Sequence, residues 1–385
     1  MNTCRLLVVA LLLWPSAQLV AQEKKADPNP KEIDEVTLRA WKGEGFTLGW
    51  ITVGTGNFLF HEDEAFTKAK LKVPSHAVRG FALPRDRNAR VTWASLPPIK
   101  VPFGLMLDGL GKFEMEHLPA LGKLTYLDLS AGKFTNDHLE PLAELKNLTH
   151  LDLSKNAITG VGIKHLAGLK TLTYLNLDET FVPNHWLKYL SGLENLTVFS
   201  RRSSNEHNKP HVVTNNDTLK HLAGLKNLTH IDLYTEAHGD DLVTDEGLQY
   251  LAGLTKLTEL VLRRASVTDK GLKHLSGLKN LTNLDLLDTN VTDVTDEGLK
   301  HLGGLTKLTK LDLGNTKVTD EGLKHLSGLK NLTELSLGYT KVTDKGLAPL
   351  ADLKNLTQIY LIGTKVTDAG VAELQKALPK CKIER

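Results

Sequence analysis

From Leu124 almost to the C-terminus, apolar residues follow two alternating periods. In the stretch 308–331, Leu308, Leu311 and Leu313 alternate with Lys310 and Asp312, as a strand with one buried face requires. Val318 then anchors a turn, and Leu323, Leu326 and Leu329 follow at helical spacing. Asp320 stands where a helix N-cap is expected, and Gly328 where the helix should end. The pattern starts again at Leu332, 24 residues on, and equivalent starts occur at Leu124, Leu148, Leu172, Leu196, Leu228, Leu257, Leu281 and Leu356. A worn copy occupies Pro102 to Lys123. A strand, a turn and a short helix cannot bury their leucines alone, but stacked copies can.

Strands pack about 4.8 Å apart and helices about 8–10 Å apart, so such a stack must curve with its strands inside. Two residue columns should then line the inner face. One runs Asp128, Asp152, Asn176, Ser200, Asp232, Val261, Asp285, Asp312, Ser336, Tyr360; its flank runs Tyr126, His150, Tyr174, Val198, His230, Glu259, Asn283, Lys310, Glu334, Gln358. The aspartates of the first column are expected to be a solvated strand face, since one carboxylate per turn does not enclose an ion. On the helices, His165, His221, His274, His301 and His325 should form an exposed column, too widely spaced to share a metal ion.

The block "LTKLDLGNT" closely resembles the leucine-rich repeat signature L-x-x-L-x-L-x-x-N, with Thr316 at the asparagine position. The "VTDEGLKHL" half resembles bacterial 24-residue types, including planctomycete-type secreted proteins and, in the repeats only, GALA-type effectors. The resemblance implies an α/β leucine-rich repeat solenoid. This is a right-handed horseshoe with parallel strands on the concave face and short helices on the convex face. It is nearly silent on function.

Ahead of the repeats the chain reads differently. Arg5, the apolar run Leu6 to Trp14 and the small residues Ala17 and Ala21 predict a signal peptide over 1–21, too short in its apolar part to span a bilayer. A charged, proline-rich lead follows at 22–35. Residues 36–101 read as a β-rich N-terminal module or cap, with Trp41, Trp50 and Trp93 as core or, alternatively, as a sugar platform. The repeat domain spans 102–385, with Cys381 in its closing turn. Removal of the signal leaves Cys381 alone, so no intrachain disulfide forms. An exported chain without disulfides points to a bacterial periplasm or exterior. Lysine plus arginine (47) and aspartate plus glutamate (45) nearly balance, so no nucleic acid or other general polyanion is implied. The mature chain should be a soluble monomer.

Chemistry is sparse. No nucleophile elbow, HExxH, phosphate loop or cysteine pair is present, so neither catalysis nor a cofactor nor a metal is implied. "HEDEAF" at 61–66 reads as a solvated acidic turn, because strand neighbours face opposite sides. The "KNLT" copies around Asn147, Asn227, Asn280, Asn331 and Asn355 spell a glycosylation acceptor, yet Lys256 and Lys307 fill the same slot. They read instead as polar residues leading into the strand. What remains are the breaks in the period. Insertions follow Arg202 and Tyr234, and a doubled turn, "NVTDVTDEG", begins at Asn290. Beside them stand Arg201, Arg202, Tyr234, Arg263 and Arg264, with His230 and Glu259 on the flank. Arg201 takes a slot that elsewhere holds a buried leucine. These residues are either drift in a tolerant repeat or a patch for a protein partner, with an acidic segment as the ligand that paired guanidinium groups would grip. The reading that follows is a non-catalytic extracytoplasmic scaffold for a protein partner, binding through the concave face and the inserted rim. An envelope polysaccharide held by the N-terminal aromatics is the alternative.

Overall fold

The structure is a computed structural model that describes residues 33–53, 58–62, 77–83, 91–107, 109, 115–203, 214–234, 242–288 and 294–385. The expected signal peptide, nearly all of the lead, most of "HEDEAF" and the three insertions (204–213, 235–241 and 289–293) lie outside these residues.

One 15-stranded sheet runs through the chain. Its first strands are β1 (Thr47–Val53), β2 (Phe58–Glu62) and β3 (Val78–Ala82), with β1 antiparallel to both of the others. From β3 onward every pairing is parallel and follows chain order. The succession is β4 (Phe103–Met106), β5 (Leu124–Asp128), β6 (His150–Asp152), β7 (Tyr174–Asn176), β8 (Val198–Ser200) and β9 (His230–Asp232). Then come β10 (Glu259–Val261), β11 (Asn283–Asp285), β12 (Lys310–Asp312), β13 (Glu334–Ser336), β14 (Gln358–Tyr360) and β15 (Lys382–Glu384). Each strand from β5 to β14 is followed by a short α- or 3₁₀-helix before the next strand, forming one coil of an α/β leucine-rich repeat solenoid. The leucines between strand and helix form one continuous core, with Leu311, Leu313, Leu323, Leu326 and Leu329 all at most 2% exposed.

The constant polar residues tie coil to coil. Asn147, Asn195, Asn227, Asn280, Asn331 and Asn355 each donate from Nδ2 to a backbone carbonyl of the preceding coil, at 2.6–2.8 Å. That bond is the physical use of the "KNLT" asparagine. Two residues on, the threonine donates its hydroxyl to the carbonyl of its counterpart one coil back, from Thr149 to Thr357. A third ladder runs through "TDEG". Thr319 caps the helix Asp320–Leu323, not Asp320 as the spacing suggested. Asp320, one residue further, accepts instead from the backbone N–H (2.7 Å) and hydroxyl (2.6 Å) of Thr343 in the next coil. Glycine follows two residues later because a Cβ on Gly322 would lie 2.3 Å from Oδ1 of Asp296, the preceding rung. Gly328 is not a left-handed helix end, since its φ is not positive, and a Cβ there would make only an ordinary contact with the Gly303 carbonyl at 3.6 Å.

The N-terminal stretch is not purely β-rich. It opens with the helix α1 (Glu35–Gly43), whose N-cap Asp34 accepts from the Thr37 N–H at 2.9 Å. Thr37 and Trp41, one turn apart, are its buried face. Trp41 is fully buried, stacks on Phe81 at 4.7 Å, meets Phe103 edge-on and donates from Nε1 to the Pro97 carbonyl. Together with Trp93 it closes the core ahead of β4. Cys381 is buried in the closing turn at the other end, where burial pushes its thiol up to about 11. Among the described residues no helix is long and apolar enough to cross a membrane.

Candidate functional site

Both inner columns align as the repeat length requires, with His230 beside Val198 and Glu259, and Asp232 beside Ser200 and Val261. Their environment differs from a solvated face. Asp128, Asp152 and Asp285 are at most 4% exposed. Each carboxylate, like that of Asp312, turns back on its own chain and accepts the N–H two residues on, closing the strand with an Asx turn. Burial, followed by the neighbouring carboxylate, pushes Asp152 and Asp312 up to about 7. Among the described residues no cluster suited to a metal ion occurs.

The face changes character along its length. At its N-terminal end Tyr126 and His150 stack at 3.9 Å, and His150 and Tyr174 at 5.8 Å. Ile51, Met106, Tyr126 and Tyr174 form a second apolar cluster there, separate from the coil core and joined by Phe60, Val78 and Val198. Burial holds His150 neutral, its pKa pushed down to about 3. From β9 onward the face carries charged side chains. His230 lies 3.6 Å from Glu259, Asn283 donates to Glu259 at 3.1 Å, and Lys310 pairs with Glu334 at 3.1 Å. Burial lowers His230 to about 4 and raises Glu259.

Arg202, Tyr234 and Arg263 occupy one column, two residues beyond the ends of β8, β9 and β10. Arg202 pairs through Nε with Asp232 at 2.9 Å and Asp178 at 3.4 Å, and its backbone N–H donates to Asp178. Arg263 donates from Nε to the buried Asp285 at 2.7 Å. Burial opposes both guanidinium charges, but the adjacent carboxylates more than offset it and hold them protonated. Arg264 takes the left-handed turn position (φ 58°), lies over the Tyr234 ring at 5.8 Å and faces Asp288 at 3.9 Å. These side chains therefore do gather, as a half-exposed patch.

Two corrections follow. Arg201 is no surface group: it is 3% exposed and points into the core. Its Nη1 donates to Asn184 Oδ1 (2.5 Å) and Thr218 Oγ1 (3.0 Å), and its Nη2 to the Val182 carbonyl (2.6 Å). Three neutral acceptors replace the apolar contacts of a leucine, and burial lowers its pKa to about 10. Nor are Arg202 and Arg263 free forks, because Asp178, Asp232 and Asp285 outnumber them. That surplus weakens the attraction expected for an acidic segment. Sequence reasoning missed these partners because they lie 22–30 residues away along the chain. The available signal was an arginine one column beyond a neighbouring coil's aspartate.

Elsewhere, Trp41 and Trp93 are core residues, and of the three tryptophans only Trp50 is partly exposed, with the Arg79 guanidinium 4.8 Å above its ring. The helix histidines are half-buried where full exposure was expected. Burial lowers the pKa of His221.

Segments of the repeat region match known family descriptions. The family description "Leucine rich repeat" matches residues 122–180, and a second leucine-rich repeat description matches 253–276, 304–327 and 328–351. An internalin (inlF) of Listeria monocytogenes is similar in structure, with a TM-score of 0.49 at 18% identity over 85% of this chain and 94% of that one. An internalin C2 (inlC2) of the same organism gives a TM-score of 0.36 at 23% identity, covering 65% and 84% respectively. No curated protein matches the chain. These repeats are leucine-rich repeats, a class that generally mediates protein–protein contacts.

Proposed function

We propose that the chain is a non-catalytic, exported scaffold, periplasmic or secreted, that holds a protein partner on its concave face. The observation that carries this reading is where the sequence varies. Intercoil ladders and core leucines repeat from coil to coil, whereas the flank column changes from Tyr126 and His150 through Val198 and His230 to Glu259, Lys310 and Gln358. The fold asks only that these residues be compatible with a strand, so their identities are free to serve recognition. An apolar-aromatic end and a charged end side by side suit a protein surface, with Arg202, Tyr234, Arg263 and Arg264 on the edge nearest the insertions. The N-terminal run 1–21 supports export. A sugar platform in the N-terminal module has weaker support, because Trp41 and Trp93 are buried.

A photo-reactive residue placed in the full chain at Val198, His230 or Gln358, in its native host, should yield protein adducts of discrete mass. The same residue at the convex positions Lys188, Lys273 and Lys324 should yield none. Adducts from the convex set alone would place the binding face on the helices.

A further inference from the structure

Whole-chain charge balance conceals a sorting of charge between the two rims. At the rim where each helix returns to the next strand, one of the two residues before the leading leucine is a lysine. This holds in every coil from Leu124 to Leu356 except that of Leu196. All of these lysines are exposed. Their bonds go to neutral acceptors: Lys226 and Lys354 to helix-end carbonyls at 2.7 Å, Lys170 and Lys279 to carbonyls of the next coil, and Lys256 and Lys307 to the Oδ1 atoms of Asn227 and Asn280. Among the described residues none forms an ion pair with a carboxylate, whereas Lys300 and Lys324 on the helices pair with Glu297 and Glu321 at 2.5 Å. The "TDEG" carboxylates lie across the coil, in the helix first turns. Among the described residues, Glu144, Glu194 and Asp352 oppose the row on the lysine rim.

We propose that this rim docks a linear acidic polysaccharide with carboxylates spaced regularly along its chain. One ammonium group per coil, at a step between the strand spacing of about 5 Å and the helix spacing of about 8–10 Å, makes a row of point charges. Such a row matches a polymer charged at each successive unit and demands no fixed bonding plane, which suits lysine better than arginine. Single-stranded nucleic acid is a poorer fit, because it binds on aromatic platforms and the exposed large apolar residues (Val36, Leu59, Val161, Tyr339 and Ile362) lie elsewhere. For the same reason the rim offers no apolar wedge to a bilayer. The concave face does not share this rim, so partner binding there can stand or fall separately.

The test titrates the full chain with polygalacturonate at low salt, alongside oligodeoxythymidylate and anionic phospholipid vesicles. Polygalacturonate should bind most tightly, with log affinity falling linearly against log salt. The triple variant Lys226→Gln, Lys279→Gln, Lys330→Gln should lose on the order of a hundredfold in affinity and flatten the salt slope by about 2. The matched convex-face triple Lys164→Gln, Lys220→Gln, Lys273→Gln should bind nearly as wild type. Equal losses in both triples, tighter binding to oligodeoxythymidylate or vesicles, or no binding to polygalacturonate would each overturn the proposal.

Discussion

The coil beginning at Leu308 and the coil beginning at Leu196 follow one plan and part most sharply at one core position. After β12 the chain buries Leu313, fully enclosed in hydrocarbon. After β8 the same position is Arg201, almost equally buried, with Asn184, Thr218 and the Val182 carbonyl arranged around its guanidinium. The solenoid core therefore admits a charge where neighbouring coils supply acceptors for its donors. The regular coil draws its order from ladders that any neighbour can continue. The irregular coil depends on acceptors found in one place only, and it stands next to the concave patch of Arg202 and Arg263.

That contrast is easiest to break at Arg201. Arg201→Ala leaves a cavity and strips the Val182 carbonyl and Asn184 carboxamide of a buried donor, so urea unfolding should show a loss of about 3–5 kcal/mol. Arg201→Leu, which restores the residue of the regular coils, should cost clearly less because it refills the space. Equal costs would mean that refilling the space contributes nothing and that loss of the guanidinium hydrogen bonds sets the cost. In the regular coil, Gly322→Ala drives a Cβ onto the Asp296 carboxylate and should cost about 1–3 kcal/mol. Asn331→Ala, which removes one exposed rung to the Thr306 carbonyl, should cost only about 0.5–1 kcal/mol.

A further effect is a dependence on pH. His150 is held neutral, with a pKa of about 3 in the folded protein against about 6.5 in the unfolded chain. Between those values the unfolded state binds more protons, so this residue's contribution declines as pH falls from about 6.5 towards 4. Raised carboxylates such as Asp232 act in the opposite sense over much of that range. The two are separated by His150→Gln: wild-type stability minus variant stability should shrink on acidification. A difference that stays flat would show that the ring is not buried as described.

How much of this the sequence disclosed depends on the range of each interaction. Column membership was legible because the repeat length alone aligns His230 with Val198 and Glu259. The cap was misassigned by one residue, since Thr319 and Asp320 are both good capping residues and only the next coil shows that Asp320 is occupied by Thr343. Arg201 was visible as a broken rule, but its direction was not, because Asn184 and Thr218 each lie 17 residues away along the chain. Of the carboxylates that neutralise Arg202 and Arg263, Asp232 and Asp285 were read as part of a solvated ladder for the same reason. The helix α1 was hidden by its brevity and by an adjoining run of strand-forming residues.

The central claim is a division of labour, in which repeated residues build the stack and the varying concave column recognises a partner. Its most direct test is the affinity of the partner captured by cross-linking for a full-length chain carrying Val198→Ala, His230→Ala and Glu259→Ala. The account predicts a loss of about 2–4 kcal/mol in binding, with thermal melting within a few degrees of wild type. Undiminished affinity in a variant that melts normally would contradict it.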